Sequence, residues 1–310
     1  MMRNDERTTE SSNSLLCARL QRAGVLICAM ALGACGSTDS EAEPGTIERP
    51  LCDGSDAFTF QHVWQGGNWD DSAFSILLRN GHAFLRVDGH CRFYSYDIGR
   101  TEPILTGTLT EGDAELLAQS TSYGKWPAVN GLVARGTSLT EGVGQVLSDG
   151  TNELACQSDC QNSPAPEDLE ASRVLDPMLD AANDWHARLS KLGTPISGDV
   201  RFAVVIQRFV DAEPLLEWPL ATPIETYAVD RRISAENPNW ESIRTGFAAE
   251  GADAEALRAL RARAAEVAVP GRLDGWILID GPGDDVYEVV VSDVLPYEDE
   301  TGVVPLRSVR

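Results

Sequence analysis

The chain has 310 residues, 25 basic and 48 acidic side chains, and a net charge of −23 at pH 7, with a pI of about 4.4. That balance argues against nucleic-acid binding, which needs a basic footprint, and against attachment to anionic lipid through basic residues. At 43% hydrophobic and 24% charged the composition is that of a globular protein, and the length suits two compact units.

Residues 1–34 read as an address and not as fold. Arg19 and Arg22 precede the apolar run AGVLICAMALGA (23–34), which is shorter than the roughly 20 residues a membrane span needs. The run ends in Leu32-Gly33-Ala34-Cys35, which resembles the bacterial lipobox. That resemblance implies signal cleavage after Ala34. It also implies lipidation of Cys35 by diacylglycerol on sulfur and a palmitate-type acyl chain on the new amine. Several chains together anchor a protein stably. The alternatives are an ordinary secretory signal cut elsewhere and an uncleaved anchor. The long n-region, with Asp5, Glu6 and Glu10, departs from the pattern. Residues 35–50 form the lipidated cysteine and a small, polar tether. Gly36, where an Asp would signal retention, favours the outer membrane, on its periplasmic face or at the cell surface.

Cys17 and Cys28 leave with the signal, and Cys35 takes lipid. Cys52, Cys91, Cys156 and Cys160 remain, an even number that suggests disulfides in an exported chain. Proximity in sequence favours Cys52–Cys91 and Cys156–Cys160, but three connectivities stay open.

AFTFQHVWQGG (57–67) alternates as a strand, with Phe58, Phe60, His62 and Trp64 on one face. His62 is then a core or edge histidine. The loop QGGNWDDS (65–72) offers Trp69, Asp70 and Asp71 as weak ligand candidates for a sugar or a cation. Asn80-Gly81 and Asp88-Gly89 are hairpin signals and predict a meander of strands 73–79, 82–87 and 90–97. Two-residue turns put Leu77 opposite Phe84 and Phe84 opposite Phe93. Arg86 and Cys91 share that face, and Leu85 and Val87 lie on the core face. In this register His82 and His90 face opposite ways and cannot share a metal. His90 and Cys91 also diverge, so a structural Cys91 is favoured over a reactive one.

A strand is expected at 104–110, then a helix started by a capping-box-like Thr110-Glu-Gly-Asp113. A hairpin about Asp149-Gly150 (143–156) delivers Cys156. Asp176-Pro177 reads as an N-cap and first helical position, followed by the stripe Leu179, Ala182, Trp185, Leu189, Leu192 and a Gly193 C-cap. His186 sits on its shoulder. RFAVVIQRFV (201–210) reads as a central strand, and EWPLATP (217–223) as irregular. Asp253 can cap a helix carrying Leu257, Leu260, Ala264 and Val267, with Arg258, Arg261 and Arg263 on its wet face. WILID (276–280) and VYEVVVSDV (286–294) form a hairpin across GPGDD, where Asp284 and Asp285 are the minor calcium candidates.

The chain is therefore expected to be α+β: a β-meander-rich unit with flanking helices at 51–193, then a smaller α+β unit at 194–310. There is no G-x-S-x-G elbow, P-loop, H-E-x-x-H or EF-hand loop, so catalytic residues are unknown, and no metal set or cofactor is expected. The lipobox, the acidic tether and the LRVDGHCRF hairpin resemble the uncharacterised lipobox-bearing envelope lipoproteins of the myxobacterial type, a likeness that implies location and brings no activity. The expected role is a lipid-anchored envelope module for binding or structure, partnered by the bilayer and by an unknown protein or ligand. The alternative is an envelope hydrolase with a carboxylate site between the two halves.

Overall fold

The computed structural model describes residues 50–65, 82–97, 102–137, 144–207, 215–230, 246–267, 277–282 and 285–298, all within one compact unit. The fold is α+β. A large sheet runs in the order β5-β7-β6-β1-β2-β3-β4-β8. Its strands are β1 (Phe58–Gln65), β2 (His82–Asp88), β3 (Arg92–Tyr96), β4 (Leu105–Thr108), β5 (Val133–Arg135), β6 (Gly144–Ser148), β7 (Glu153–Gln157) and β8 (Thr194–Pro195). Every pairing in it is antiparallel except β5 with β7. The expected strand 73–79 and its Asn80-Gly81 turn lie outside the described residues.

Two helices cover one face of this sheet. Helix α1 (Glu111–Ser120) starts as the sequence predicts: the Thr110 hydroxyl accepts from the Asp113 N–H at 3.1 Å and donates to its carboxylate at 2.8 Å. Helix α2 (Leu169–Leu189) contacts β2, β3, β5, β7 and α1. Its residues Leu175, Leu179, Ala182, Trp185 and Leu189 pack with Phe60, Leu85, Val87, Phe93, Leu117, Trp126 and Leu147 in the main core.

Two expectations about α2 need correction. Asp176 is not its N-cap, because the helix begins at Leu169 and carries Pro177 inside it. Proline cannot donate to the Arg173 carbonyl. Both residues are exposed, so water can serve that carbonyl while Leu175 keeps the helix on the core. Leu192 does not continue the stripe: it lies past the helix end and is 64% exposed. Gly193 still closes the end, donating its N–H to the Leu189 carbonyl at 2.9 Å.

The meander register also differs from the expected one. Phe84 pairs with Tyr96, and Val87 with Phe93. The connecting loop is therefore Gly89-His90-Cys91, with Cys91 at φ 63°. Phe93 moves to the core face with Leu85 and Val87, while Tyr94 and Tyr96 join Phe84 on the other face. The cause is the Asp88 side chain, which accepts from the backbone N–H groups of His90 and Arg92 at 3.0 and 2.9 Å. An Asx-type turn of this kind replaces the two-residue hairpin.

The same happens at the second Asp-Gly. Asp149 accepts from the Thr151 and Asn152 N–H groups at 2.8 and 2.7 Å, and Ser148 pairs with Glu153 across the longer loop. In β1 the register shifts between Phe58 and Phe60. A bulge adds a residue and flips the alternation, so Phe58 does not share the face of Phe60. It packs with Tyr94 and Tyr297 on the far side.

The second sheet runs β10-β9-β13-β12, with β11 also paired to β9. These strands are β9 (Val200–Gln207), β10 (Ala228–Asp230), β11 (Phe247–Ala249), β12 (Ile277–Asp280) and β13 (Val286–Asp293). The predicted central strand and hairpin are both present. Helix α3 (Gly251–Val267) packs Leu257, Leu260 and Ala264 onto Val200, Phe202, Val289 and Val291. Arg261 is not on its wet face: it is 4% exposed, turned inward to Asp293 at 2.8 Å.

Candidate functional site

A chain of polar side chains runs between α2 and the first sheet. The alternation of β1 that buries Phe60 also turns His62 toward the helix, at 1% exposure. Its cross-strand neighbours are Leu85 and Leu147. His62 Nε2 lies 2.9 Å from Gln145 Oε1, which also accepts from Asn183 Nδ2 at 3.2 Å. Gln145 Nε2 donates to Gln161 Oε1, and Gln161 Nε2 donates to Asp180 Oδ1 at 3.2 Å.

This chain has a direction. An ionised carboxylate can only accept, so Gln161 presents its amide N–H to Asp180 and its carbonyl to Gln145. Gln145 must then present its carbonyl to His62, which donates from Nε2. The tautomer of His62 is thereby fixed with a bare Nδ1, and that atom has no hydrogen-bond partner among the described residues. Burial lowers the imidazole to about 4, the Gln145 hydrogen bond opposes the shift, and the neighbouring His186 adds to it. His62 is neutral at pH 7.

On α2, Asp176, Asp180, Asn183 and His186 follow one another at helical spacing beside the apolar stripe. His186 is also lowered by burial, against the pull of Asp97 and a hydrogen bond with the Tyr96 backbone. Asp97 Oδ1 stands 3.4 Å from its Nε2. The Asp176 carboxyl is raised, first by burial and then by Asp180. The arrangement can hold neutral groups under a helix and respond to protons. Among the described residues, no group of three or more His, Cys, Asp or Glu could hold a metal ion.

A second polar centre joins the two sheets. Asp293, at the end of β13, receives Arg258 Nε at 3.0 Å and Arg261 Nη2 at 2.8 Å. It also accepts from the Ile104 N–H beside β4 at 3.2 Å. Around that junction Leu295, Tyr297, Ile196 and Ile104 pack with Phe58, Phe84, Tyr94 and Tyr96. A carboxylate held by two guanidiniums is an ion-pair centre.

The sequence candidates distribute as follows. Cys52–Cys91 and Cys156–Cys160 are both bridged, so Cys91 is structural. His90 is in the loop, with Nε2 3.0 Å from exposed Asp56. Asp285 is exposed in the β12–β13 turn, where its carbonyl accepts from the Gly281 N–H. Ala34, Cys35, Trp69, Asp70, Asp71 and Asp284 lie outside the described residues.

The sequence reading missed Gln145, Gln161 and Asn183, because amides carry no motif, and Asp180, which looks like any solvated helix carboxylate. The available signal was a run of polar residues at helical spacing beside the α2 stripe. Comparison with protein families, curated proteins and solved structures finds no match to this chain.

Proposed function

We propose that this chain is a lipid-anchored protein of the bacterial envelope, held through acylated Cys35 at the outer membrane, with a binding or structural role. The observation that carries the reading is the fate of the thiols. Every cysteine beyond Cys35 is in a bridge, which suits an oxidising compartment and leaves Cys35 as the one thiol of the mature chain for lipid. No helix among the described residues is long and apolar enough to cross a membrane, so attachment through lipid is consistent with the described fold. The alternative, a hydrolase with carboxylates between the two halves, gains little from Asp293, which is neutralised by Arg258 and Arg261.

The test is expression of the full chain with its own signal in a Gram-negative host fed labelled palmitate. Label should enter the wild type and fractionate with outer membrane. Cys35→Ser should abolish labelling and release the protein. Label-free wild-type protein, or Cys35→Ser that still labels, overturns the anchor. The binding role is tested by cross-linking in whole envelopes. It predicts a partner that repeats between preparations, and repeated failure to capture one refutes it.

A further inference from the structure

The buried chain under α2 has a consequence for behaviour in acid. His62 and His186 lie close together in the same seam, one on the sheet and one on the helix. Neither is held by a buried carboxylate. His62 meets the Gln145 amide, and Asp97, which faces His186, is itself exposed. The other titratable groups of the seam are Asp180, reached through Gln161, and Asp176 beside it. On the sheet side, β2 and β6 place Leu85 and Leu147 beside His62.

We propose that His62 and His186 make α2 an acid-sensitive latch, seated on the sheet while both imidazoles are neutral and loosened when they take up protons. Protonation turns the His62 Nδ1 from a bare acceptor into a donor without an acceptor among the described residues. It also sets a second cation beside His186. Both effects penalise the seated helix and are relieved when water reaches the seam.

The sign follows from linkage. The folded values of both histidines lie below the ordinary imidazole value of 6.5, with His62 at about 4. The unseated state therefore binds more protons as pH falls below 6.5, and seating is lost progressively toward pH 4. For His62 alone, a drop from pH 7.5 to pH 5 favours the unseated state by about 30-fold.

Hydrogen–deuterium exchange on the full chain in detergent, with labelling times corrected for intrinsic pH effects, reads this directly. Peptides of α2 should lose protection by about 30-fold or more at pH 5, while α3 peptides stay protected. His62→Gln keeps a donor for Gln145 and does not titrate, so it should abolish most of the pH 5 loss. His186→Gln should reduce it and serves as the second variant if His62→Gln folds poorly. Equal protection of α2 at both pH values overturns the latch. So does parallel loss in α2 and α3, or a wild-type response in both variants.

Discussion

Replacing Asp293 by Ala should be among the most damaging single substitutions in the chain. Asp293 is 1% exposed and faces two guanidiniums, of which Arg261 is itself buried. Removing the carboxylate leaves the Arg261 charge with the Val291 carbonyl at 3.4 Å as its acceptor. Arg258 retains exposed Glu255 at 3.2 Å and the Asp199 carbonyl at 3.4 Å. Breaking one side of a buried pair costs about 3–5 kcal/mol. The Ile104 N–H also loses its acceptor, so the upper part of that range is expected. Asp293→Asn should cost less, because an amide oxygen can still accept from Arg261 or Ile104. Urea unfolding of the oxidised protein at pH 7 measures both. The decisive control is the triple variant Asp293→Leu, Arg258→Met, Arg261→Met, which removes these three charges together and should recover most of the loss. An Asp293→Ala cost below about 1 kcal/mol, or a triple variant no better than the single, would refute the argument from buried charge.

Other consequences are equally open to measurement. The Cys52–Cys91 bridge spans a separation of 39 residues and Cys156–Cys160 one of 4. Loop entropy then predicts about 4 kcal/mol lost on removing the first by Cys→Ala pairs and about 2 on removing the second, a ranking that urea midpoints check. Thr110→Ala should cost about 1 kcal/mol through the lost α1 cap, read in the same assay. Gly107→Ala would place a methyl 2.5 Å from the Phe93 ring, so it should destabilise by about 1–3 kcal/mol, and combining it with Phe93→Leu should recover part of that.

The order and type of the longer elements were legible because they follow from periodicity, whereas β5, β8, β10 and β11, at two or three residues each, are too short to show one. Alternation marks β1, helical spacing marks the buried stripe of α2, and the continuous apolar run marks β9 between its neighbours. Register was not legible, for one physical reason repeated at two places. Asp-Gly signals a tight turn, but a buried Asp side chain can bond the backbone N–H groups ahead of it and lengthen the loop. At Asp88 this carries Phe93 across the sheet, and at Asp149 it draws the pairing out to Ser148 and Glu153. The bulge after Phe58 has the same character, one added residue reversing a face without changing the hydrophobic pattern.

Polar residues posed the harder problem. A solvated arginine and Arg261 look alike in sequence, because what buries Arg261 is Asp293, 32 residues away. His62 was legible as a core or edge histidine but not as titrating, since its state is set by its burial and then by Gln145 and His186 from two other elements. The seam at His62 weakens from pH 6.5 downward as its buried imidazole takes up a proton, and residues 200–310, which build the core under α3, contain no histidine to do the same. Acid should accordingly loosen the first sheet before the second, and the separation of those two transitions measures how independently the two cores are held.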